Sequence, residues 1–270
     1  VLPADLFAQR EHVALIAGLP MLALLLARAQ GRGVGRGDAW SAGIGAGLMV
    51  VIKPHLILAL LPVAAWAVLR RRAVRPVLGA EWLALAVPCL AYAAIVPLAF
   101  PLYLSRMLPL LELAYLPGRD SWANLLTGTM VLTPVISAIL VVWLARGRVS
   151  DAALVALFAG AGFVAAGLVQ GKGYLNHGYP AVALALLAIA LELARPGHAR
   201  RFGALCGGVL ALFSTYSYAR VPEPHALQAA VARLAPSHPR LAGISFDFTL
   251  GHPLTRWVEG RWVARRGSLW

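Results

Sequence analysis

Charged residues are scarce in this chain of 270 residues, and acidic ones are the scarcest. Only 13% of the residues are Asp, Glu, Lys or Arg, and Asp and Glu together number 11. Soluble globular domains carry about 25% charged residues, which cover a single apolar core. With 60% apolar residues and a mean hydropathy of +0.74, this chain has too little polar sequence to cover such a core. A soluble globular protein is therefore excluded.

Cysteine is almost absent as well. The two cysteines, Cys89 and Cys206, lie inside apolar blocks, and neither belongs to a Cys-x-x-Cys or Cys/His motif. A disulfide framework or a structural zinc site is therefore not expected. We interpret both as small buried residues.

The chain consists mainly of apolar blocks of about 15 to 25 residues, the length needed to cross a bilayer core of ~30 Å. We predict an all-α membrane protein, a polytopic helical bundle of about eight membrane segments within residues 1–219. The predicted segments are 12–29, 41–52, 54–69, 79–99, 128–145, 151–170, 179–194 and 202–219.

The apolar block over 40–69 is interrupted by Lys53-Pro54-His55 and allows two interpretations. Proline removes a helical hydrogen bond and disfavours helical geometry in the residue before it. One long kinked helix would place Arg36 and the cluster Arg70 to Arg72 on opposite sides of the membrane. A hairpin of two helices would place both on one side, and the bias of positive charge toward the cytoplasm favours the hairpin.

The net charge of +13 is explained by topology better than by nucleic-acid binding. Alternation of the segments places 12 of the 24 Lys and Arg residues in short loops on one side, as is typical of the cytoplasmic side. Before the tail, the opposite side has only Arg10, Lys53, Arg106, Arg119 and Lys172. We therefore predict an extracytoplasmic N terminus, an extracytoplasmic C-terminal tail and no nucleic-acid partner.

Two regions differ from the membrane segments. Residues 101–127 have apolar residues at helical spacing together with Tyr and Trp, which is typical of an amphipathic helix at the membrane interface. Residues 220–270 predict a small extracytoplasmic α/β tail. In that tail the spacing of apolar residues predicts a helix over 222–235, and their alternation with polar residues predicts a strand over 241–250.

Unusual polar residues collect on the extracytoplasmic side of this topology. Their four groups are Gln9-Arg10-Glu11-His12, Lys53-Pro54-His55, Arg119-Asp120, and Gln170 to Tyr174 with His177 and Tyr179. Ionisable groups at membrane depth are costly and usually mark a function. For any single group, snorkelling of the side chain to the interface is the alternative.

Five of these residues suit the binding of a phosphate-containing donor. Arg10, Lys53 and Lys172 supply positive charge, and an arginine can hold a phosphate through two hydrogen bonds. Tyr174 and His177 lie in the same sequence groups and complete the predicted donor-binding set.

The acidic residues of these groups are the predicted catalytic ones. Glu11 and Asp120 could each act as a general base toward an acceptor hydroxyl. His12, His55 and Gln170 complete the polar cluster. His12, His55 and His177 could donate hydrogen bonds or shuttle protons. A divalent metal is compatible with the histidines but is not favoured, because none has the His-Glu-x-x-His spacing and the cations would oppose it.

Three of the strings together resemble bacterial polytopic membrane proteins related to the GT-C type glycosyltransferases. The strings are Gln9 to His12, Ile52 to His55, and Gln170 to Pro180, and the resemblance covers about 10–195. It implies a site on the extracytoplasmic side of the bacterial cytoplasmic membrane. The implied co-substrate is a polyprenyl-phosphate sugar, and the implied partners are membrane lipids and a glycan, lipid or protein acceptor.

That superfamily usually needs an Asp or Glu in its first extracytoplasmic loop. Such a loop is not visible after the first helix, and we expect it before Val1, in a longer protein of which this chain is a part. Glu11 is a substitute hypothesis for that acid and is not carried over from the family.

Three functions stay open on the sequence alone, with glycosyl transfer favoured. A transporter or flippase would use a broken helix such as 41–69, but the sequence has no inverted repeat and its polar residues gather at one face, not at the midplane. The third function is that of a non-catalytic subunit of an envelope-glycan assembly machine, whose tail binds a partner.

Overall fold

The protein is a helical membrane protein in its computed structural model, which describes residues 9–75, 77–195, 200–219, 225–235, 237–241 and 252–263. Of these described residues, 79% are helical. Within the described residues, six helices are long and apolar enough to cross a membrane: Arg10–Ala29, Pro54–Arg71, Ala80–Ala99, Trp122–Ala145, Asp151–Gln170 and Leu175–Leu193. The prediction of an all-α, multi-pass membrane protein is confirmed. The chain divides into two compact units, Val1–Ala219 and Arg220–Trp270.

The helices of the first unit follow the predicted apolar blocks closely. They are α1 Arg10–Ala29, α2 Arg36–Ile52, α3 Leu61–Arg71, α4 Ala80–Ala99, α5 Leu108–Tyr115, α6 Trp122–Thr127, α7 Thr129–Ala145, α8 Asp151–Gln170, α9 Leu175–Leu193 and α10 Arg200–Ala219. A 3-10 helix, Pro54–Ala59, precedes α3, and a π-helical turn, Tyr103–Met107, precedes α5. Two predicted membrane segments, α2 with its 17 residues and α10, are not among the six candidate spans. The count of eight segments therefore stays a prediction.

The interrupted block folds as a hairpin. Lys53 has an extended backbone (φ −152°, ψ 112°) and separates α2 from the 3-10 helix, which begins at Pro54. The chain then returns toward the end of the bundle from which α2 started. Gly31 consequently lies beside the Arg71 guanidinium, whose Nη1 atom would be 2.6 Å from a Cβ at Gly31. The arginines that follow α1 and those that end α3 therefore share one end of the bundle, here called the Arg-rich end.

Three carboxylates compensate part of the positive charge at the Arg-rich end. The ion pairs are Arg28–Glu81 at 3.0 Å, Arg70–Asp151 at 3.8 Å and Arg195–Glu192 at 2.9 Å. Two of these carboxylates lie in the first turns of α4 and α8, where negative charge also interacts favourably with the helix dipole. The first two pairs join the C-terminal ends of α1 and α3 to the N-terminal ends of α4 and α8. The C-terminal end of α9 meets the start of α8 through a hydrogen bond from Ser150 N to Glu192 Oε1 at 2.8 Å. The opposite ends of these helices therefore meet at the other end of the bundle.

Close approach of α2 to α4 depends on glycine. A Cβ at Gly43 would collide with the backbone carbonyl of Glu81 and would lie 2.6 Å from the Cβ of Ala84. A Cβ at Gly47 would collide with the ring of Pro88. Small residues at such contacts let membrane helices pack closely, which is a main source of helix association in lipid.

Replacing Gly43 by alanine is expected to destabilise the protein by about 1–3 kcal/mol, because the added methyl group forces α2 and α4 apart. Chemical unfolding of the protein in detergent measures this change. Gly208→Ala is the matched control: Gly208 lies in α10 with nothing within 4 Å of a Cβ, so the same substitution there should be neutral or slightly stabilising. Equal losses in both variants would contradict the close packing of α2 on α4.

The connection from α4 to α7 is an arm with a largely exposed apolar surface. It comprises the π-helical turn, α5 and α6, and Leu104, Leu110 and Leu113 are 41%, 58% and 76% exposed. The helical character expected of residues 101–127 is present. Their position at a membrane interface stays a prediction.

The second unit contains two short helices and one pair of very short strands among its described residues. They are α11 His225–Leu234, α12 His252–Trp257, β1 Arg240–Leu241 and β2 Arg261–Trp262. The strands pair in parallel, with Arg240 opposite Arg261. Helix α11 lies within the helix predicted over 222–235, whereas the strand predicted over 241–250 lies, except for Leu241, outside the described residues. The α/β tail and its extracytoplasmic side stay predictions.

Candidate functional site

Four helix ends meet around the Glu11 carboxylate at the end of the bundle opposite the Arg-rich end, here called the site end. Glu11 lies in the first turn of α1, Lys53 follows α2, Gln170 ends α8, and His177 lies in the first turn of α9. We call Glu11, Lys53, His55, Gln170, Asn176 and His177 the Glu11 cluster. Helix ends have unpaired backbone groups and are the places where polar side chains are least costly in a membrane protein.

Glu11 is 2% exposed, and both of its carboxylate oxygens have partners. The Lys53 Nζ atom donates a hydrogen bond to Oε1 and forms a buried ion pair with it. The Asn176 Nδ2 atom donates to Oε2 at 3.0 Å, and the His177 Nε2 atom is 3.4 Å from Oε1. Lys53 also donates to Gln170 Oε1 at 3.3 Å. A carboxylate in such surroundings is suited to orienting its neighbours, and its role as a general base stays a hypothesis.

Two more predicted site residues, Arg10 outside the Glu11 cluster and His55 within it, complete the surroundings of Glu11. Arg10 is exposed at the start of α1 and lies close enough to Lys53 and His177 for its charge to act on both. His55 is half-buried and interacts with the Gln170 side chain. Positive charge therefore exceeds negative charge around Glu11.

Aromatic rings border the cluster on the α9 side. The Tyr174 ring centroid is 5.3 Å from that of His177, and Tyr174 is 45% exposed. The His12 ring meets Tyr179 edge to face, with centroids 5.6 Å apart. His12 thus lies beside the cluster through an aromatic contact.

The other predicted acidic residue, Asp120, lies in a second structure that we call the loop pair, residues 118–121 packed on residues 169–173. Three hydrogen bonds join the two segments: Lys172 Nζ to Gly118 O at 2.8 Å, Arg119 Nη2 to Val169 O at 2.7 Å, and Asp120 N to Gly171 O at 2.8 Å. The loop pair ties the exposed arm, at its loop between α5 and α6, to the end of α8.

Glycine is required at two positions of the loop pair. Gly171 and Gly173 have left-handed φ angles of +66° and +65°, which a side chain adopts at a cost. A Cβ at Gly171 would be 2.6 Å from Arg119 Nε, and one at Gly173 would collide with the Asp120 carboxylate. The Gly-Lys-Gly sequence therefore permits the close approach that places Asp120 and Lys172 together.

Asp120 differs from Glu11 in its accessibility. Its Oδ1 atom accepts hydrogen bonds from Ser121 N at 2.7 Å and from Asn124 Nδ2 at 2.8 Å. Among the residues that the structure describes, its Oδ2 atom receives none, and the side chain is only half-buried. Asp120 makes no hydrogen bond or ion pair with the Glu11 cluster in this part of the chain.

Lys172 is a buried cation of the loop pair. Burial, and next the nearby Arg119 guanidinium, lower the pKa of its ammonium group below the usual range. Its Nζ atom donates to a backbone carbonyl, which stabilises the charged form. A bound anion would stabilise it further.

The sequence analysis missed Asn176 because it misplaced the start of α9. Pro180 was expected near the helix start, with the helix over 179–194, but α9 begins at Leu175. A proline removes only the hydrogen bond to the carbonyl four residues earlier, which membrane helices tolerate. Asn176 and His177 consequently lie in the first turn of a helix and not in a loop. The Gln170 to Pro180 string, which includes Asn176, was the available signal.

The structure thus brings most of the predicted residues together in two neighbouring groups. Glu11, Lys53, His55, Gln170 and His177 share one cluster, and Asp120 shares the loop pair with Lys172. Among the described residues, no three of the His, Cys, Asp and Glu side chains are grouped as a metal site would require. No known protein family, curated protein or solved structure matches the chain, so the resemblance to the GT-C type glycosyltransferases stays a prediction.

Proposed function

We propose that the protein is a membrane glycosyltransferase that moves a sugar from a polyprenyl-phosphate donor to a hydroxyl of an envelope acceptor on the extracytoplasmic side. One observation carries the proposal: a surplus of cations surrounds a single buried carboxylate at the site end. The cations there are Arg10 and Lys53, and Lys172 lies in the adjoining loop pair. This charge suits a phosphodiester at membrane depth.

The exposed arm supports a lipid-linked donor. Its loop between α5 and α6 belongs to the loop pair, where residues 118–121 pack on the end of α8. Its exposed leucines offer an apolar surface for a polyprenyl chain that reaches the site from the bilayer. A water-soluble nucleotide sugar would not need such a surface.

In the proposed reaction the acceptor oxygen forms a bond to C1 of the sugar. The bond between C1 and the phosphate oxygen breaks, and its electron pair leaves with the polyprenyl phosphate, whose charge Arg10 and Lys53 stabilise. The proton of the acceptor hydroxyl passes to a carboxylate. Asp120 is the better placed of the two predicted bases, because its Oδ2 atom has no donor among the described residues, whereas both oxygens of Glu11 are occupied.

The direct test is transfer of radiolabelled sugar from polyprenyl-phosphate donors by the full-length protein in nanodiscs. Transfer by the wild type and a large loss in Lys172→Ala and Glu11→Gln, with both variants folded, is the expected result. Absence of transfer from every donor, with donors and fold verified, would refute the proposal.

A second candidate, a lipid or solute transporter, is favoured by one observation. The chain break at Lys53 places a buried ion pair at the interruption of a helical hairpin, as broken helices of transporters do. Substrate flux into proteoliposomes driven by an ion gradient would favour this candidate over transfer. The gathering of the polar groups at one end of the bundle favours the enzyme.

The proposed topology has its own prediction. In a cysteine-free background, with Cys89 and Cys206 replaced by serine, Leu116→Cys is expected to react with a membrane-impermeant maleimide in intact cells. Val74→Cys should react only after permeabilisation, because it follows α3 at the Arg-rich end. Both positions are more than half exposed, at 59% and 54%. The reverse labelling pattern would place the site end in the cytoplasm.

A further inference from the structure

The two ring nitrogens of His177 differ in their contacts. Its Nε2 atom is 3.4 Å from Glu11 Oε1, and the residue is 8% exposed. Its Nδ1 atom is buried and has no hydrogen-bond partner in the described part of the chain. A buried polar atom without a partner is unfavourable, and native proteins seldom leave one unexplained. The atom therefore indicates a group that comes from outside the described chain.

The chemistry of the imidazole restricts what that group is. A neutral imidazole has one N–H donor and one acceptor nitrogen, and the partner of one nitrogen determines the role of the other. The Glu11 carboxylate only accepts, so it favours the proton on Nε2 and leaves Nδ1 as an acceptor. The missing partner is consequently a hydrogen-bond donor.

Two classes of ligand group fit poorly. A cationic ammonium ligand would be repelled by Lys53 and Arg10, whose charges both act on His177. A phosphate oxygen offers no hydrogen to an acceptor. A neutral hydroxyl group satisfies both conditions. The neighbouring Tyr174 ring, 5.3 Å from His177 and 45% exposed, adds the apolar surface against which the C–H face of a sugar can pack.

We propose that His177 Nδ1 accepts a hydrogen bond from a hydroxyl group of the bound sugar and that Glu11 is the positioning residue that keeps this nitrogen an acceptor. The identity of the ligand as a sugar rests on the proposed function. The assignment gives His177 a role in sugar recognition, where the sequence predicted phosphate binding. It also gives Glu11 an orienting role and leaves proton transfer to Asp120.

The first measurement is independent of any substrate. Nitrogen NMR of the full-length protein labelled with ¹⁵N-histidine, in nanodiscs, reports which ring nitrogen carries the proton, and the His177→Gln variant assigns the signal. The expected form is a neutral imidazole with its proton on Nε2. A proton on Nδ1, or a doubly protonated ring, would overturn the assignment.

The second measurement tests the hydroxyl with a polyprenyl-phosphate hexose and its monodeoxy analogues as probes. The wild type should bind one analogue about 10-fold to 100-fold more weakly than the parent, because that analogue leaves the buried nitrogen unpaired. His177→Gln, whose amide reaches toward Glu11 but not toward the Nδ1 position, should bind the two alike. His177→Asn, whose amide occupies the Nδ1 position, should retain part of the discrimination.

The source of the hydroxyl is separated by the same design. If the hydroxyl belongs to the acceptor, the wild type should bind the parent donor and its monodeoxy analogues equally well. The difference between parent and analogue should then appear in the transfer assay, with methyl hexosides and their monodeoxy forms as acceptors. Uniform behaviour of the wild type in both series would show that water or another group satisfies Nδ1 and would overturn the inference alone. Failure of the wild type to bind or use any polyprenyl-phosphate sugar would overturn the proposed function and this role together.

Discussion

Replacing Lys53 by methionine is expected to destabilise the protein by about 3–5 kcal/mol, because the change leaves the Glu11 carboxylate buried without its cation. The two side chains are 8% and 2% exposed and lie at the start of α1 and just after α2. Asn176 and His177 remain as partners of Glu11, but both are neutral and cannot replace the positive charge of Lys53. Chemical unfolding in detergent or thermal unfolding in nanodiscs measures the loss.

The double variant Glu11→Gln/Lys53→Met separates stability from function. With both charges removed, most of the stability should return, since replacement of a buried pair by neutral groups is often close to neutral. Transfer of sugar should not return, because the variant lacks the cation that the donor phosphate needs and the carboxylate that orients His177. Recovery of both stability and transfer would show that the pair is structural only.

The second large effect is expected at Asp120. Asp120→Asn should lower the rate of sugar transfer by about 10²–10⁴-fold, the usual contribution of a general base. The fold should be unaffected, because an asparagine oxygen can still accept the hydrogen bond from Ser121 N. Donor binding should change little, so the loss should appear in kcat more than in KM.

The control for Asp120 lies on the same arm. Glu112 in α5 is an exposed carboxylate outside the loop pair, and Glu112→Gln removes the same charge there. This variant should transfer sugar at the wild-type rate. Equal losses in both variants would mean that the charge of the arm, and not Asp120 itself, matters for transfer.

The helices could be predicted from the sequence because their physical cause is local. An apolar block long enough to span the bilayer has one stable backbone structure there, and the described part of the chain contains six such helices. The hairpin at Lys53-Pro54 could also be predicted from the sequence. The proline breaks the helix, and the arginines before and after the hairpin prefer the same side of the membrane. The start of α9 could not be predicted, because Pro180 is a stronger indication of a helix start than the residues of the first turn that precedes it.

The candidate site could be predicted only as a set of residues. Residue types and the expected topology placed Glu11, Lys53 and His177 at one end of the bundle. The contacts themselves are long-range, because Glu11 pairs with Lys53, 42 residues later, and with Asn176, 165 residues later. No local pattern encodes such distances. The accessibility of Asp120 relative to Glu11, and the unpartnered nitrogen of His177, likewise depend on packing between helices that are distant in sequence.

The distance along the sequence between Glu11 and its partners also has a consequence for biogenesis. During synthesis at about 5–20 residues per second, the Lys53 partner, 42 residues later, follows Glu11 by roughly 2–8 s. The Asn176 partner, 165 residues later, follows by roughly 8–33 s. The first hairpin can therefore neutralise the carboxylate soon after α1 enters the bilayer, whereas the arrangement around His177 is completed only when α9 is inserted. Truncated nascent chains that end between α3 and α9 should consequently hold the ion pair while lacking the sugar site.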